Sequence, residues 1–432
     1  MILKLSRGAI FLKAVILAGG YGSRMGDICL NVPKPLIEVH GKPILLHQTE
    51  VLKREGISEF IIVTGHLAES IESYFGDGKN FGISITYYRE ETPLGTAGAL
   101  FRLGMKEDFL LCNGDLIFDI DLDSMISFHK KHNALATLLA HPSSHPEDSL
   151  TLVTNSDSQV TKLLPKNKKA DFYENLCNAG IQLVSPLLLD MYNYSGKADF
   201  DKDVIAPAVD SGRIFAYKSA EYVHDAGTPE RLRRAASDLA SGIVADKNRR
   251  NPQKAVFVDR DGTLNIHKGY ITDPDELELI SGVPEAINIL HSLGYLVIMI
   301  TNQPVIARGE CSFEELKNIH CRLEILLSQK KAFLDGIYFC PHHPDKGFKG
   351  EREELKVSCN CRKPSPGLIL QARDDFNIDI EKSYMVGDSV ADINAAKNSG
   401  CIPVFIGKSE NACRSFDSLR DFANHLLEAD AR

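Results

Sequence analysis

No stretch of this 432-residue chain approaches the roughly eighteen consecutive apolar residues that a membrane-spanning helix requires. A dense Lys/Arg stripe is also missing. The formal charge is −9, so the electrostatic footprint of a nucleic-acid binder is absent. Two short basic runs, Arg249-Arg250 and Lys166 to Lys169, read as solvated loops. There is no internal repeat and no low-complexity tract. A secretory leader is not expected either: Met1 to Ala18 carries basic and apolar residues, but Lys13 interrupts it and it runs straight into a glycine-rich loop. The ten cysteines thus lack a leader and an even framework, and a reducing, cytoplasmic compartment is expected. With 44% hydrophobic and 25% charged residues, the chain has the composition of a soluble globular protein and not of a disordered one.

The length suits two domains. Short runs rich in Val, Ile and Phe alternate with longer amphipathic stretches. Strands are expected near residues 14–18, 60–64, 109–112, 134–140, 255–258, 296–300, 384–386 and 403–406. Between them, Phe313, Leu316, Ile319, Leu323 and Leu326 recur at helical spacing. Ser312 can cap that helix, and Glu315 three residues on completes a capping box. Alternation of this kind predicts an α/β protein with parallel sheets covered by helices on both faces, here as two Rossmann-like, doubly wound domains. Expected bounds are an N-terminal extension over 1–12, a first domain over 13–245, a polar linker over 246–253 that includes Asn251-Pro252, and a second domain over 254–432.

After the first strand comes Gly19-Gly20-Tyr21-Gly22-Ser23-Arg24. The glycines let backbone N–H groups approach an anion, and Arg24 offers a fork for a pyrophosphate. Ten residues on, Pro33-Lys34-Pro35 holds a second cation in a stiffened segment. Asp115, just past the apolar residues 109–112, sits where open sheets bind ligands. Attack of a sugar 1-phosphate on an α-phosphorus would need only such cations and carboxylate-held Mg²⁺, with no side-chain nucleophile. The run LAGGYGSRMGDICLNVPKP resembles the LAGGxGxR…PKP hallmark of sugar nucleotidyltransferases, over roughly residues 13–240. Leu94-Gly95-Thr96-Ala97-Gly98, Asn113-Gly114-Asp115, Asn178-Ala179-Gly180 and Asp225-Ala226-Gly227-Thr228 recur in the family's order. That resemblance implies a GT-A-like fold and assigns roles. Gly19, Gly20, Gly22, Ser23 and Arg24 would grip the triphosphate, with Gly95 and Thr96 near base and ribose. Asp115 and Asp225 would hold Mg²⁺, and Lys166, Asn178 and Gly180 would meet the sugar phosphate. Asp27-Ile28-Cys29 stands where many relatives carry Pro-Leu-Thr, which bears on the choice of base and sugar.

In the second half, Asp259-Arg260-Asp261-Gly262-Thr263 follows a buried strand. Asp259 can attack phosphorus while Asp261 gives and takes the proton. Thr301-Asn302-Gln303, Lys363 and Gly387-Asp388, with Asp392 four residues on, complete a phosphoryl-transfer set at separate strand ends. These four motifs resemble those of the haloacid dehalogenase superfamily. The resemblance makes Asp259 the nucleophile, Asp261 the acid/base, and Thr301 and Lys363 the phosphoryl clamps. Asp388 would ligate Mg²⁺ together with Asp259 and the Asp261 carbonyl, and Asp392 would support them.

Cys340-Pro341-His342 and Cys359-Asn360-Cys361 flank a polar loop. Three thiolates and one imidazole make a closed, structural Zn²⁺ site, with His343 as the alternative to His342. Arg362-Lys363 follow directly, so the metal would fix them toward the phosphate. The combination resembles heptose 1,7-bisphosphate 7-phosphatases and the related histidinol-phosphate phosphatases. Pro304-Val305 and Ser389 depart from that pattern near where the substrate's far end is expected. Asn302, Arg308 and Arg362 are the further substrate contacts the resemblance suggests.

By these resemblances, the second half would leave a heptose 1-phosphate, a proper substrate for a nucleotidyltransferase of the kind the first half resembles. The fusion therefore implies consecutive steps of nucleotide-activated heptose synthesis, with GTP as the donor by likeness to guanylyltransferases. A histidinol-phosphate reading ranks second, since it leaves the fusion without metabolic logic. A non-catalytic, regulatory role for one half is the competing class, and the complete residue sets in both halves speak against it. Oligomeric state is open.

Overall fold

The structure is a computed structural model that describes residues 12–166, 172–408 and 414–430. Apart from Leu12, the expected N-terminal extension lies outside these residues, as do Lys168 and Lys169 of the basic run. The chain forms two compact units. The first runs as far as Ala140 and adds Leu152–Leu163 and Asn178–Asn248. The second holds His141–Thr151, Leu164–Cys177 and Arg249–Arg432.

The first unit is built on a nine-stranded sheet among the described residues. Strands Ser84–Arg89, Glu59–Thr64, Lys13–Leu17 and Phe109–Asn113 lie side by side and parallel. Cys177–Val184 then pairs antiparallel with Phe109–Asn113, Ile181 opposite Cys112. The sheet is mixed, where strand–helix alternation alone predicted parallel strands. A run buried on both faces, as most of Cys177–Val184 is, reads the same in either direction, so its sequence carries no sign of polarity. From Lys13–Leu17 the chain first builds outward to one side and later returns to add Phe109–Asn113 on the other. That reversal opens a crevice at the carboxyl ends of these two strands. Residues 19–24 and Asp115 follow them directly.

The second unit repeats the device with an all-parallel six-stranded sheet. Its order is Gly336–Cys340, Leu296–Asn302, Ala255–Val258, Tyr384–Gly387, Ile402–Ile406 and Ser415–Phe416. All four residues of Ala255–Val258 are fully buried, with Val256, Phe257 and Val258 contributing about 1.5–3 kcal/mol each. The order reverses between Ala255–Val258 and Tyr384–Gly387, so Asp259 and Asp388 flank the crevice.

Helix Phe313–Ser328 starts at a complete capping box: the Ser312 side chain accepts from Glu315 N, and Glu315 accepts from Ser312 N. Leu316, Ile319, Leu323 and Leu327 face the core. Leu326 packs at its margin and Phe313 is exposed, so the buried stripe ends one residue later than the sequence spacing placed it. Each unit has its own apolar core, and no helix among the described residues is long and apolar enough to cross a membrane.

Candidate active sites and metal centre

In the first unit the glycine-rich loop leaves the sheet under tight constraint. A side chain at Gly19 would meet Gly65 and Glu90, and Gly22 has φ +63° with the Cys29 sulfur 2.7 Å from where a Cβ would stand. Gly20 faces open space. The short antiparallel pair Leu116–Asp119 and Tyr222–Asp225 sets Asp225 opposite Leu116, and Ala226 N donates to the Asp115 carbonyl at 2.8 Å. Two acidic segments more than a hundred residues apart in sequence thereby become neighbours.

Arg24 and Lys34 reach the same place. A methyl at Gly227 would lie 2.6 Å from Asp225 Oδ1, 3.3 Å from Arg24 Nη2 and 3.4 Å from Lys34 Nζ. Lys34, itself buried, is ion-paired with Asp115. Asp225 accepts from Arg231 Nη1 at 2.8 and 3.0 Å. Burial alone would raise the Asp225 carboxyl, but Arg231 outweighs it and holds the group below its ordinary value. The sequence reading missed Arg231. The available signal was helical: Thr228 caps Pro229–Ala240 by accepting from Arg231 N, which places the guanidinium one turn above Asp225. Asp115 and Asp225 thus lie on neighbouring segments, each carboxylate paired with a cation, Lys34 and Arg231 respectively.

Other expected contacts of this unit serve packing as well. Gly95 has φ +79° and its Cβ position lies 2.3 Å from the Ala198 carbonyl, while Thr96 Oγ1 accepts from Phe200 N at 2.7 Å. The Asn178 amide is engaged at both ends, donating to Asp201 and accepting from Gly180 N and Gln182. Gly180 (φ +80°) lets Asn113 approach. Lys166 is exposed and falls in the segment grouped with the second unit.

In the second unit, carboxylate oxygens of Asp259, Asp388 and Asp392 all lie within 4.8 Å of one another. Lys363 enters between them: its Nζ is 2.8 Å from Asp259 Oδ1, 2.6 Å from Asp392 Oδ1 and donates to the Ile300 carbonyl at 2.8 Å. Burial would lower this ammonium, but Asp259 and Asp392 keep it above the ordinary lysine value. Burial raises Asp259 to about 6, against the pull of Lys363. Burial and the Asp392 charge raise Asp388 too. Three carboxylates facing one ammonium leave net negative charge, and a divalent cation fits that deficit. Glycines make room: a Cβ on Gly262 would stand 1.9 Å from Asp388 Oδ2, and one on Gly387 2.3 Å from Asp392 Cγ.

The Asp261 carboxylate accepts from Arg260 Nη2 at 2.9 Å, Gln303 Nε2 at 3.1 Å and Asn265 Nδ2 at 3.1 Å. These three donors were not anticipated. Thr301 is buried, its Oγ1 accepting from Gln303, which leaves the hydroxyl proton for another acceptor. Arg308 lies between two rings, 4.3 Å from the Tyr270 centroid and 4.4 Å from that of Phe348. Arg362 donates to the His342 carbonyl. Asn302 turns its amide to the Lys363 backbone and not outward. The departures from the family pattern also have structural explanations. Val305 is fully buried in the core. Ser389 caps helix Val390–Ser399 and donates to Asp392 Oδ2 at 2.6 Å.

Cys340, His342, Cys359 and Cys361 place their donor atoms within 4.8 Å of one another. Cys361 Sγ lies 3.2 Å from both Cys340 and Cys359 Sγ, with His342 Nδ1 also 3.2 Å from Cys361 Sγ. A tetrahedron with 2.3 Å Zn–S bonds has edges of about 3.8 Å, so a slight expansion seats the ion. His342 is the histidine in this cluster. His343 Nδ1 accepts from Asp345 N. Burial, then Arg362, Arg308 and Lys356, lower the His343 imidazole below its ordinary value, which marks three cations around it.

Comparison with known proteins agrees with both halves. Residues 13–242 match the nucleotidyl transferase family and residues 151–400 the haloacid dehalogenase-like hydrolase family, and the chain belongs to both. It is accordingly an enzyme with nucleotidyltransferase and phosphomonoester hydrolase domains. Over 142 residues it is 44% identical to the D-glycero-beta-D-manno-heptose-1,7-bisphosphate 7-phosphatase of Yersinia pestis, covering 33% of this chain and 73% of that protein. The Vibrio cholerae protein of the same name is 41% identical over 182 residues, 40% of this chain and 96% of the relative. Among solved structures, HddC from Yersinia pseudotuberculosis is 23% identical with a TM-score of 0.46, covering 53% of this chain and 99% of that one.

Proposed function

We propose that the chain removes the 7-phosphate from D-glycero-D-manno-heptose 1,7-bisphosphate and then transfers GMP from GTP to the heptose 1-phosphate, releasing pyrophosphate. The observation that carries this reading is the convergence of Asp259, Asp388, Asp392 and Lys363 in a domain 41–44% identical to heptose bisphosphate phosphatases.

In the hydrolytic half, an Asp259 oxygen attacks phosphorus and the bond to the C7 oxygen breaks. Asp261 gives its proton to that leaving oxygen, then takes one from the water that releases phosphate and restores Asp259. Lys363 and the Thr301 hydroxyl hold the phosphoryl oxygens. Mg²⁺, held by Asp259, Asp388 and the Asp261 carbonyl, would offset the repulsion between carboxylate and phosphate. Arg308, stiffened between Tyr270 and Phe348, and Arg362 suit the remaining phosphate of a bisphosphate sugar. Zn²⁺ on Cys340, His342, Cys359 and Cys361 would hold the segment that carries Arg362 and Lys363.

In the transfer half, a sugar phosphate oxygen attacks the α-phosphorus and pyrophosphate leaves. Arg24 and Lys34 take up charge on the triphosphate, Asp115 and Asp225 would hold Mg²⁺, and backbone N–H groups of residues 19–24 meet phosphate oxygens. Gly95 and Thr96 lie toward base and ribose, and Asn178 and Gly180 toward the sugar. Both reactions use small, phosphorylated, cytoplasmic molecules. The test is to supply heptose 1,7-bisphosphate, Mg²⁺ and each nucleoside triphosphate in turn. Equimolar phosphate, pyrophosphate and GDP-heptose are expected with GTP. Phosphate release without a nucleotide sugar from any donor would overturn the joint reading.

A further inference from the structure

We infer that Asn302 is a positioning residue for phosphoryl transfer, a two-point clasp that fixes Lys363 by its backbone. This deepens the phosphatase reading and rests on the role given there to Lys363.

Asn302 is the last residue of strand Leu296–Asn302, directly after Thr301. Its side-chain amide engages one residue twice: Nδ2 donates to the Lys363 carbonyl at 3.0 Å, and Oδ1 accepts from Lys363 N at 3.0 Å. A primary amide meeting the N–H and C=O of a single residue leaves that residue little freedom to rotate, because both backbone dipoles are held in one plane. The same strand also holds the other end of the lysine, since Nζ donates to the Ile300 carbonyl at 2.8 Å. Lys363 is therefore gripped at its backbone and at its tip by residues two apart in sequence, with the ammonium left between Asp259 and Asp392.

The clasp also ties two otherwise separate structures. Across the parallel pair, Asn302 is opposite Cys340, and Gln303 N donates to the Cys340 carbonyl at 2.8 Å. Cys340 gathers with Cys361, two residues before Lys363. Asn302 thus stands where the sheet, the cysteine cluster and the active-site lysine meet. An ammonium displaced by about 1 Å from its working position costs on the order of a hundredfold in rate. The carbonyl and N–H of a loop residue, left to water, would allow such a displacement.

The experiment uses the full chain with Mg²⁺ and p-nitrophenyl phosphate. Asn302→Ala removes the clasp. Asn302→Asp keeps its shape and its bond from Lys363 N but sets an oxygen against the Lys363 carbonyl. In both, kcat is expected to fall about 10- to 100-fold, with KM, zinc content and melting temperature close to those of the parent. In a Lys363→Met background, which leaves no ammonium to position, adding Asn302→Asp is expected to cost less than about twofold, because the residue acts through the lysine. Unchanged kcat in Asn302→Asp, an undiminished loss in the Lys363→Met background, or loss of zinc would overturn the clasp. A Lys363→Met enzyme as active as the parent would instead overturn the role given to Lys363.

Discussion

Lys363 Nζ stands 2.8 Å from Asp259 Oδ1, so the cation that must screen an incoming phosphate already touches the carboxylate proposed to attack it. In Asp259→Asn the shape is kept and Lys363 retains Asp392 as its counter-charge, so folding should persist. Phosphate release is expected to fall at least about a thousandfold while nucleotidyl transfer stays within about twofold. Parallel assays of phosphate and pyrophosphate check this, and loss of both activities would refute independent sites.

Magnesium binding should depend on pH in a defined direction. Burial sets Asp259 at about 6 in the ion-free protein, and burial with the Asp392 charge also raises Asp388. Above about 6 Asp259 is ionised and available. Below it, a proton must leave before the ion can bind, so the apparent affinity should weaken by up to about tenfold per pH unit. Calorimetric titration from pH 5 to 8 tests the sign; affinity that strengthens on acidification would contradict it.

Zinc removal should act on position. Cys361 is the hub of the cysteine–histidine cluster and immediately precedes Arg362 and Lys363. Purified protein is expected to hold about one Zn²⁺ per chain, and Cys361→Ser to lose it, with a lowered melting temperature and reduced phosphate release. Nucleotidyl transfer should be unaffected. Metal analysis beside both assays checks this, and a zinc-free, fully active preparation would rule the centre out.

Gly262 offers a steric test. A Cβ there would stand 1.9 Å from Asp388 Oδ2, at φ +79°. Gly262→Ala must push Asp388 aside or strain the backbone, which costs roughly 1–3 kcal/mol. Mg²⁺ affinity and phosphate release should both drop at least about tenfold. An alanine variant with parental Mg²⁺ affinity would show that Asp388 is not a ligand.

For the transfer half, Asp115→Asn should abolish pyrophosphate release and leave phosphate release intact. The neutral amide keeps the volume beside Lys34 but withdraws the charge that pairs with it. Retained pyrophosphate release would remove Asp115 from the site.

Several of these residues were legible in the sequence because they sit in short segments just past apolar strands. Asp259, Asp388 and Asp115 follow that rule, Thr301 is the next-to-last residue of its strand, and the rule is local: where a buried strand ends, its polar residues come to the crevice. The capping box at Ser312 and Glu315 was legible for the same reason. Arg231 had a local signal in the Thr228 cap that went unused, whereas nothing in the neighbourhoods of Gln303 and Asn265 indicates that their amides would donate to Asp261. Asn302 was read as facing phosphate, since nothing near it in sequence indicates that Lys363, sixty-one residues on, would occupy both ends of its amide.

The order of motifs along the chain by itself determined the two enzyme classes: carboxylates, cations and glycines in fixed local spacing, beside a cysteine–histidine set of donor types that suit Zn²⁺. Local backbone rules suffice for that, since strand ends and tight turns depend on a few consecutive residues. Tertiary structure alone decided which charges offset one another. Strand direction in the first sheet, the choice of His342 over His343, the pairing of Lys34 with Asp115 and the lodging of Lys363 between Asp259 and Asp392 all depend on segments far apart in sequence. Their distances are set by packing, and electrostatic interaction falls off over those few ångströms.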